Sequence, residues 1–420
     1  MTLPEIAEPT AIAAALADAG PEADPFARFT DHQWYCHQAR QTVYFAACSA
    51  EALDREALTV LAADIARNIP ELGALYTALN GRALTREALE DVVSSQEVDD
   101  LDVYPDAWDM SGKDIFTRND LPMLRLRAAV RRGGPDANGR RSVLSVLSTH
   151  ALFEGADSAL LSRSQATSHT ALAAPQVRHS ALRRWRDRLV SAVLGPAQLL
   201  TALLIAPRHV DIACRSLVFD RERIRRVSAA LGLRQRSLMF ALACFALNDG
   251  GKGFSRRRIS AIYASMDMRT RAGFDGAYFR HWMTEAGFRV SDDFLTFAKT
   301  VEAEIDRLEQ TDQRLTHGLL GAVFAAHRRM RRWLPFLYSD RIFRFAGFYH
   351  VNLSVTPPHR LQGPMAANMM EPLFAGSFHP GLNMCIFVPG RSHVTFNFAV
   401  HDRHLGRIAA IPALLDALER

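Results

Sequence analysis

The sequence predicts an α/β protein built as a pseudo-dimer, two subdomains with a central cleft between them. Three observations predict it. Strand-like and helix-like stretches alternate in both halves of the chain. A connector of different composition, 166–212, parts the halves. The 420 residues, 48% hydrophobic and 23% charged, suffice for two cores of ordinary globular composition.

Residues 1–24, rich in Ala, Glu and Pro, read as a loosely held arm. The first subdomain takes 25–165. It opens with a helix and a strand within 26–47, followed by an amphipathic helix over 54–68. Residues 122–130 read as a strand and 131–139 as a loop of turn residues. A second strand, short and buried, starts at Ser142 and runs out at Thr149-His150. Beyond Gly155, a capping residue in Ala156-Asp157-Ser158 precedes a helical pattern.

The connector carries a basic cluster, Arg178, Arg183, Arg184, Arg186 and Arg188 around Trp185, and then an uncharged run over 189–207. The run has the length of a membrane span, but Gly195-Pro196 interrupts it and Ser191, Gln198 and Thr201 dilute it. Two short helices, lying on the protein or in a bilayer interface, fit it better; a spanning helix is the alternative. The second subdomain takes 213–420. It begins with helices over 220–232 and 237–247, the latter stopped by Asn248-Asp249-Gly250-Gly251. A strand over 259–266 follows, then a long helical stretch over 301–330 broken near Gly318. Strands over 348–355, 384–388 and 394–400 lead to a closing helix over 405–418.

Composition excludes some functions. The five cysteines show no CxxC and no ligand spacing, which predicts reduced, mostly buried thiols in a cytoplasmic protein. The first residues carry no basic stretch of the signal-peptide kind. A net charge of +5 on a chain this size, without a recognition motif, argues against nucleic acid as a partner. No P-loop, dinucleotide fingerprint or metal-ligand cluster stands out, so neither a metal nor a tightly bound cofactor is expected.

His150 is the candidate catalytic residue. A histidine at the lip of a strand is held by a rigid element, and a base must lie at hydrogen-bond distance from the proton it takes. Its ordinary pKa near neutrality lets it accept a proton and return it. Glu154, four residues on, is placed to brace the turn. Spacing alone also allows a strand-end histidine bonded to backbone and a solvated glutamate.

Thr149-His150-x-x-x-Glu154-Gly155 resembles the HHxxxDG region of the CoA-dependent acyltransferase superfamily, which includes chloramphenicol acetyltransferases and peptide-synthetase condensation domains. The wax ester synthase/diacylglycerol acyltransferase branch looks nearest. The likeness continues through Ala50 to Leu58, Asn68 to Leu72, Leu217 to Leu233, Ile262 to Arg269, Asn352 to Pro358, and Gly381 to Phe398. The resemblance implies two chloramphenicol acetyltransferase-like subdomains and transfer of an acyl group from acyl-CoA or an acyl-carrier protein. The acceptor would be an alcohol or amine, a lipid among the candidates. His150 would be the base, and Glu154 a structural acid held by an arginine such as Arg269. Thr149 and Gly155 would support the motif, while Asn352 and Ser354 would be candidate donors to the oxyanion or substrate. A lipid substrate and the basic connector together imply a protein peripheral on a membrane. The chain departs from the pattern at Thr149, at Glu154, at Gly73, and at Arg234 to Ser237, where an Asn-Asp pair is expected. These departures keep open a second reading, a non-catalytic member that binds a lipid, carrier protein or partner complex.

Overall fold

The structure is a computed structural model. It describes residues 31–38, 40–68, 70–101, 116, 118, 120–152, 185, 211–247, 258–265, 282–289, 293–310, 328–329, 350–355, 369–378, 383–390 and 392–420. The chain divides into two compact units. The first comprises Met1–Ala173, Met268–Arg280 and Pro358–Phe378; the second comprises Ala174–Asp267, His281–Pro357 and His379–Arg420. The expected arm, the helix after Gly155, the uncharged run and the break near Gly318 lie outside the described residues.

The first unit starts with α1 (Asp31–Gln38) and β1 (Thr42–Ser49), then α2 (Arg55–Asn68) and α3 (Pro70–Asn80). Asp54 caps α2, its Oδ1 accepting from the Ala57 N–H at 2.8 Å. Leu58, Leu61 and Ile65 recur at helical spacing and are all buried. Each such side chain contributes roughly 1.5–3 kcal/mol by leaving water. After α4 (Arg86–Glu90) come β2 (Val93–Val98), β3 (Leu124–Arg131) and β4 (Ser142–Thr149). The β3–β4 loop is held by Asp136, whose Oδ1 accepts from the N–H groups of Asn138 and Arg140, both at 2.8 Å. The Arg140 Nε donates to Oδ2 at 2.5 Å. Gly133 and Gly139 take φ of 74° and 76° there, a conformation that side-chain-bearing residues resist.

These strands form a sheet in the order β2-β3-β4-β1-β9, where β9 (Met369–Phe378) returns from far along the chain. It pairs antiparallel with β1, from Thr42 opposite Phe378 to Ser49 opposite Met369. The register slips around Ala47, opposite Pro372. An edge strand tolerates this, because a proline there forfeits a ladder hydrogen bond only on one side. One face of the sheet, including Val43, Leu124, Leu126, Leu144 and Val146, joins the buried core formed with α2 and α3.

The second unit holds β5 (Ile212–Asp220), α5 (Arg221–Ala230), α6 (Gln235–Leu247), β6 (Arg258–Ser265), β7 (Trp282–Arg289) and α7 (Phe294–Gln310). It continues with β8 (His350–Val355), β10 (Asn383–Pro389) and β11 (His393–His401). A 3-10 turn, Asp402–His404, leads into α8 (Leu405–Ile408) and α9 (Ile411–Glu419). The closing helix expected over 405–418 is thus two helices, the second beginning with Pro412 in its first turn, where a missing N–H costs nothing. The helix expected from Val301 begins seven residues earlier, at Phe294. Asp220 caps α5 by accepting from the Glu222 N–H at 3.0 Å. The sheet order is β5-β11-β10-β8-β6-β7. Against it packs α6, buried from Ser237 to Cys244. An aromatic chain runs through the core, with ring centroids 4.9 Å apart for Phe219–Phe396, 4.7 Å for Phe387–Phe396 and 5.4 Å for Phe240–Phe387.

All five cysteines are free, four of them buried, and burial pushes the thiols of Cys244 and Cys385 well up. His404 is also buried, and burial lowers its pKa to about 3. Its Nε2 accepts from the Arg403 Nε at 3.3 Å, which requires the neutral ring. The unfolded chain protonates this histidine near its ordinary value, whereas the folded chain does not until about pH 3. Stability is therefore fully present above about pH 6.5 and is lost progressively as pH falls toward 3. At pH 5.5 the loss is on the order of 1 kcal/mol. His404→Gln, which cannot titrate, is expected to show a smaller drop in urea midpoint between pH 7.5 and pH 5.5 than the parent; equal drops would assign the acid sensitivity elsewhere.

Among the described residues, no single helix is long and apolar enough to cross a membrane. The pair α5–α6 passes by length and composition together, bent by 93°, but α6 is core.

Candidate active site

His150 is the first residue past β4, and its backbone is pinned from two sides. Its N–H donates to the Gln41 carbonyl at 2.8 Å. Gln41 is itself fixed by its N–H on the Cys36 carbonyl at 2.9 Å, through a tight α1–β1 link in which Arg40 adopts φ 52°. Thr149 closes the turn. Its carbonyl accepts from the Leu152 N–H and its Oγ1 from the Ala151 N–H, each at 3.2 Å. Ala151 and Leu152 are buried in the unit's core. A turn anchored by buried residues on both sides holds the half-buried His150 at the sheet's end on a rigid base.

Thr149 is fully buried, at the register position opposite Thr42 of β1. Its hydroxyl serves the turn. Gln41 escaped sequence reasoning: it lies 109 residues before His150, and only the β1–β4 pairing brings the two together. Thr42 also faces Phe378, so β9 ends at the same end of the sheet.

Glu154, Gly155 and Arg269 lie outside the described residues. Asn352 and Ser354 stand on β8, an interior strand of the second unit's sheet paired in parallel with β10 and β6. Arg234, where the resemblance expects an Asn-Asp pair, bonds Glu302 through its N–H at 2.8 Å and also pairs with Asp306. It ties the α5–α6 link to α7 and is structural. Among the described residues, no group of three His, Cys, Asp or Glu is placed to hold a metal ion.

No family model and no curated protein matches the sequence. Solved structures do match. The trichothecene 15-O-acetyltransferase of Fusarium sporotrichioides superposes with a TM-score of 0.53 at 11% identity, over 92% of this chain and 94% of that one. The first condensation domain of the CDA synthetase gives 0.48 at 14% identity, over 93% and 94%. Polyketide synthase associated protein 5 from Mycobacterium tuberculosis gives 0.47 at 10%, over 92% and 96%. The fold is therefore mixed α/β, of the type seen in the acetyltransferase, along nearly the whole chain.

Proposed function

We propose that this protein is an acyltransferase in which His150 is the general base. The observation that carries the reading is the pinned turn after β4: a half-buried histidine presented by a rigid strand end, in a chain with the fold of an O-acetyltransferase. His150 takes the proton from an alcohol or amine, which attacks the thioester carbonyl of acyl-CoA or an acyl-carrier protein. The tetrahedral oxyanion is stabilised by a polar group, with Asn352 or Ser354 as candidates. Collapse expels the thiolate, and the proton on His150 neutralises it. Glu154 holds the loop, with Arg269 as its partner. A pseudo-dimer with a central cleft belongs to the same proposal. The experiment is thiol release from acyl-CoA of graded chain length with alcohol and amine acceptors; the absence of turnover with any pair refutes the reading.

The acceptor is proposed to be a lipid, as in the wax ester synthase branch, handled by a cytoplasmic protein at a membrane periphery. Trp185, within the basic cluster, is 65% exposed, which suits the boundary between headgroups and acyl chains. Co-sedimentation with anionic vesicles is expected at low salt and should weaken at 1 M, where the Debye length is ~3 Å. Protein that stays in the supernatant at low salt contradicts it. A second reading, a non-catalytic binder, is favoured by one observation: Thr149 stands at the first histidine's place, and its hydroxyl is engaged in the turn.

A further inference from the structure

A groove of about 430 Å³ lies over the start of β2 and β3, lined among others by Asp91, Ser94, Gln96, Arg125 and Arg127. Leu124, Leu126 and Ala128 bury themselves in the core on one face of β3, so alternation sets Arg125 and Arg127 together on the opposite face. Ser94 is the register neighbour of Arg127 on β2. Two guanidiniums two residues apart on one face repel each other, and Asp91 supplies a single negative charge among these lining residues. Each guanidinium has five N–H donors, so a protein partner does not exhaust it.

The groove lies at the His150 end of the sheet, on the β2–β3 edge. Arg125 stands opposite Leu147 and Arg127 opposite Ser145. Leu147 is three residues before His150, roughly 10 Å along a strand, and Ser145 five, roughly 17 Å. Thr149 shares the face of Leu147 and Ser145 by the same alternation.

We propose that Arg125 and Arg127, with Ser94 and Gln96, bind an oxyanion, a phosphate or carboxylate group, of the ligand whose reacting end lies at His150. Attribution to the substrate rests on the acyl-transfer reading; binding of the anion does not. Arginine forks match the paired oxygens of both groups, and the flanking hydroxyl and amide can donate to those left over.

The test is calorimetric titration of the full chain with inorganic pyrophosphate and, separately, with succinate, at fixed ionic strength. Saturable binding of pyrophosphate assigns a phosphate group, and of succinate a carboxylate. Arg125→Gln/Arg127→Gln is expected to weaken that binding at least tenfold, and Arg127→Lys less, since it keeps the charge without the fork. Hydrogen exchange on the parent protein needs no variant and should slow across residues 91–96 and 124–131 when the anion is added. Saturation by neither anion, an unchanged affinity in the double variant, or no protection at those segments overturns the proposal. With a thioester donor, Arg127→Gln should raise KM more than it lowers kcat. If the parent shows no turnover, the acyl-transfer reading fails while the anion titration still decides the groove.

Discussion

His150→Ala is expected to slow thiol release by ~10²–10⁴-fold, the usual cost of removing a general base, while the thermal midpoint stays close to the parent's. The two effects separate because of how the residue is held. The bond to the Gln41 carbonyl comes from the His150 backbone, which alanine retains. The neighbours that anchor the turn, Thr149, Ala151 and Leu152, are untouched and buried. The imidazole itself is only half-buried, so its removal opens little closed volume. His150→Gln, similar in size and unable to act as a base, should be equally slow. A variant as fast as its parent excludes His150 as the base, and a marked fall in midpoint makes it a structural residue.

The largest stability loss is expected at Phe396, where Phe396→Ala should cost ~3–5 kcal/mol. The ring is fully buried on β11 and lies edge-on to both Phe219 and Phe387. Its neighbours across the ladder, Phe387 on β10 and Leu217 on β5, are fixed by backbone pairing and cannot collapse into the space. The loss therefore combines transfer of the ring, the cavity left behind, and two aromatic contacts. The measurement is hydrogen exchange of the β10 and β11 amides with denaturant, which reports this unit even where the whole chain does not unfold in one step. Val218→Ala, on the same sheet but 64% exposed, should stay within about 0.5 kcal/mol of the parent. Equal losses at the two positions contradict this picture of the core.

Much of the candidate site was legible because its signals are local. The apolar run beginning at Ser142 forms β4, the helices expected over 54–68 and 220–232 form, and the turn-rich 131–139 connects two strands. In each case neighbours within about four residues decide the outcome. Four strands escaped, β5 among them, where no strand was expected between the connector and the helix from 220. Residues Ser94 to Glu97 of β2 are all exposed, so that strand at the sheet's edge carries no apolar alternation. Trp282–Arg289 mixes Glu285 and Gly287 into an edge strand, and Met369–Phe378 contains Pro372 and Gly376, which read as breakers.

By itself, then, the sequence determined the α/β class, most helices, and the strand whose end presents His150. Tertiary structure alone decided that β9 leaves its sequence neighbours to pair with β1, that Gln41 anchors the His150 turn, and that Arg125 and Arg127 border a groove at that end of the sheet. The physical reason is range. Capping and periodicity act between residues a turn or a pleat apart, whereas strand order and register are settled by which distant surfaces bury each other best.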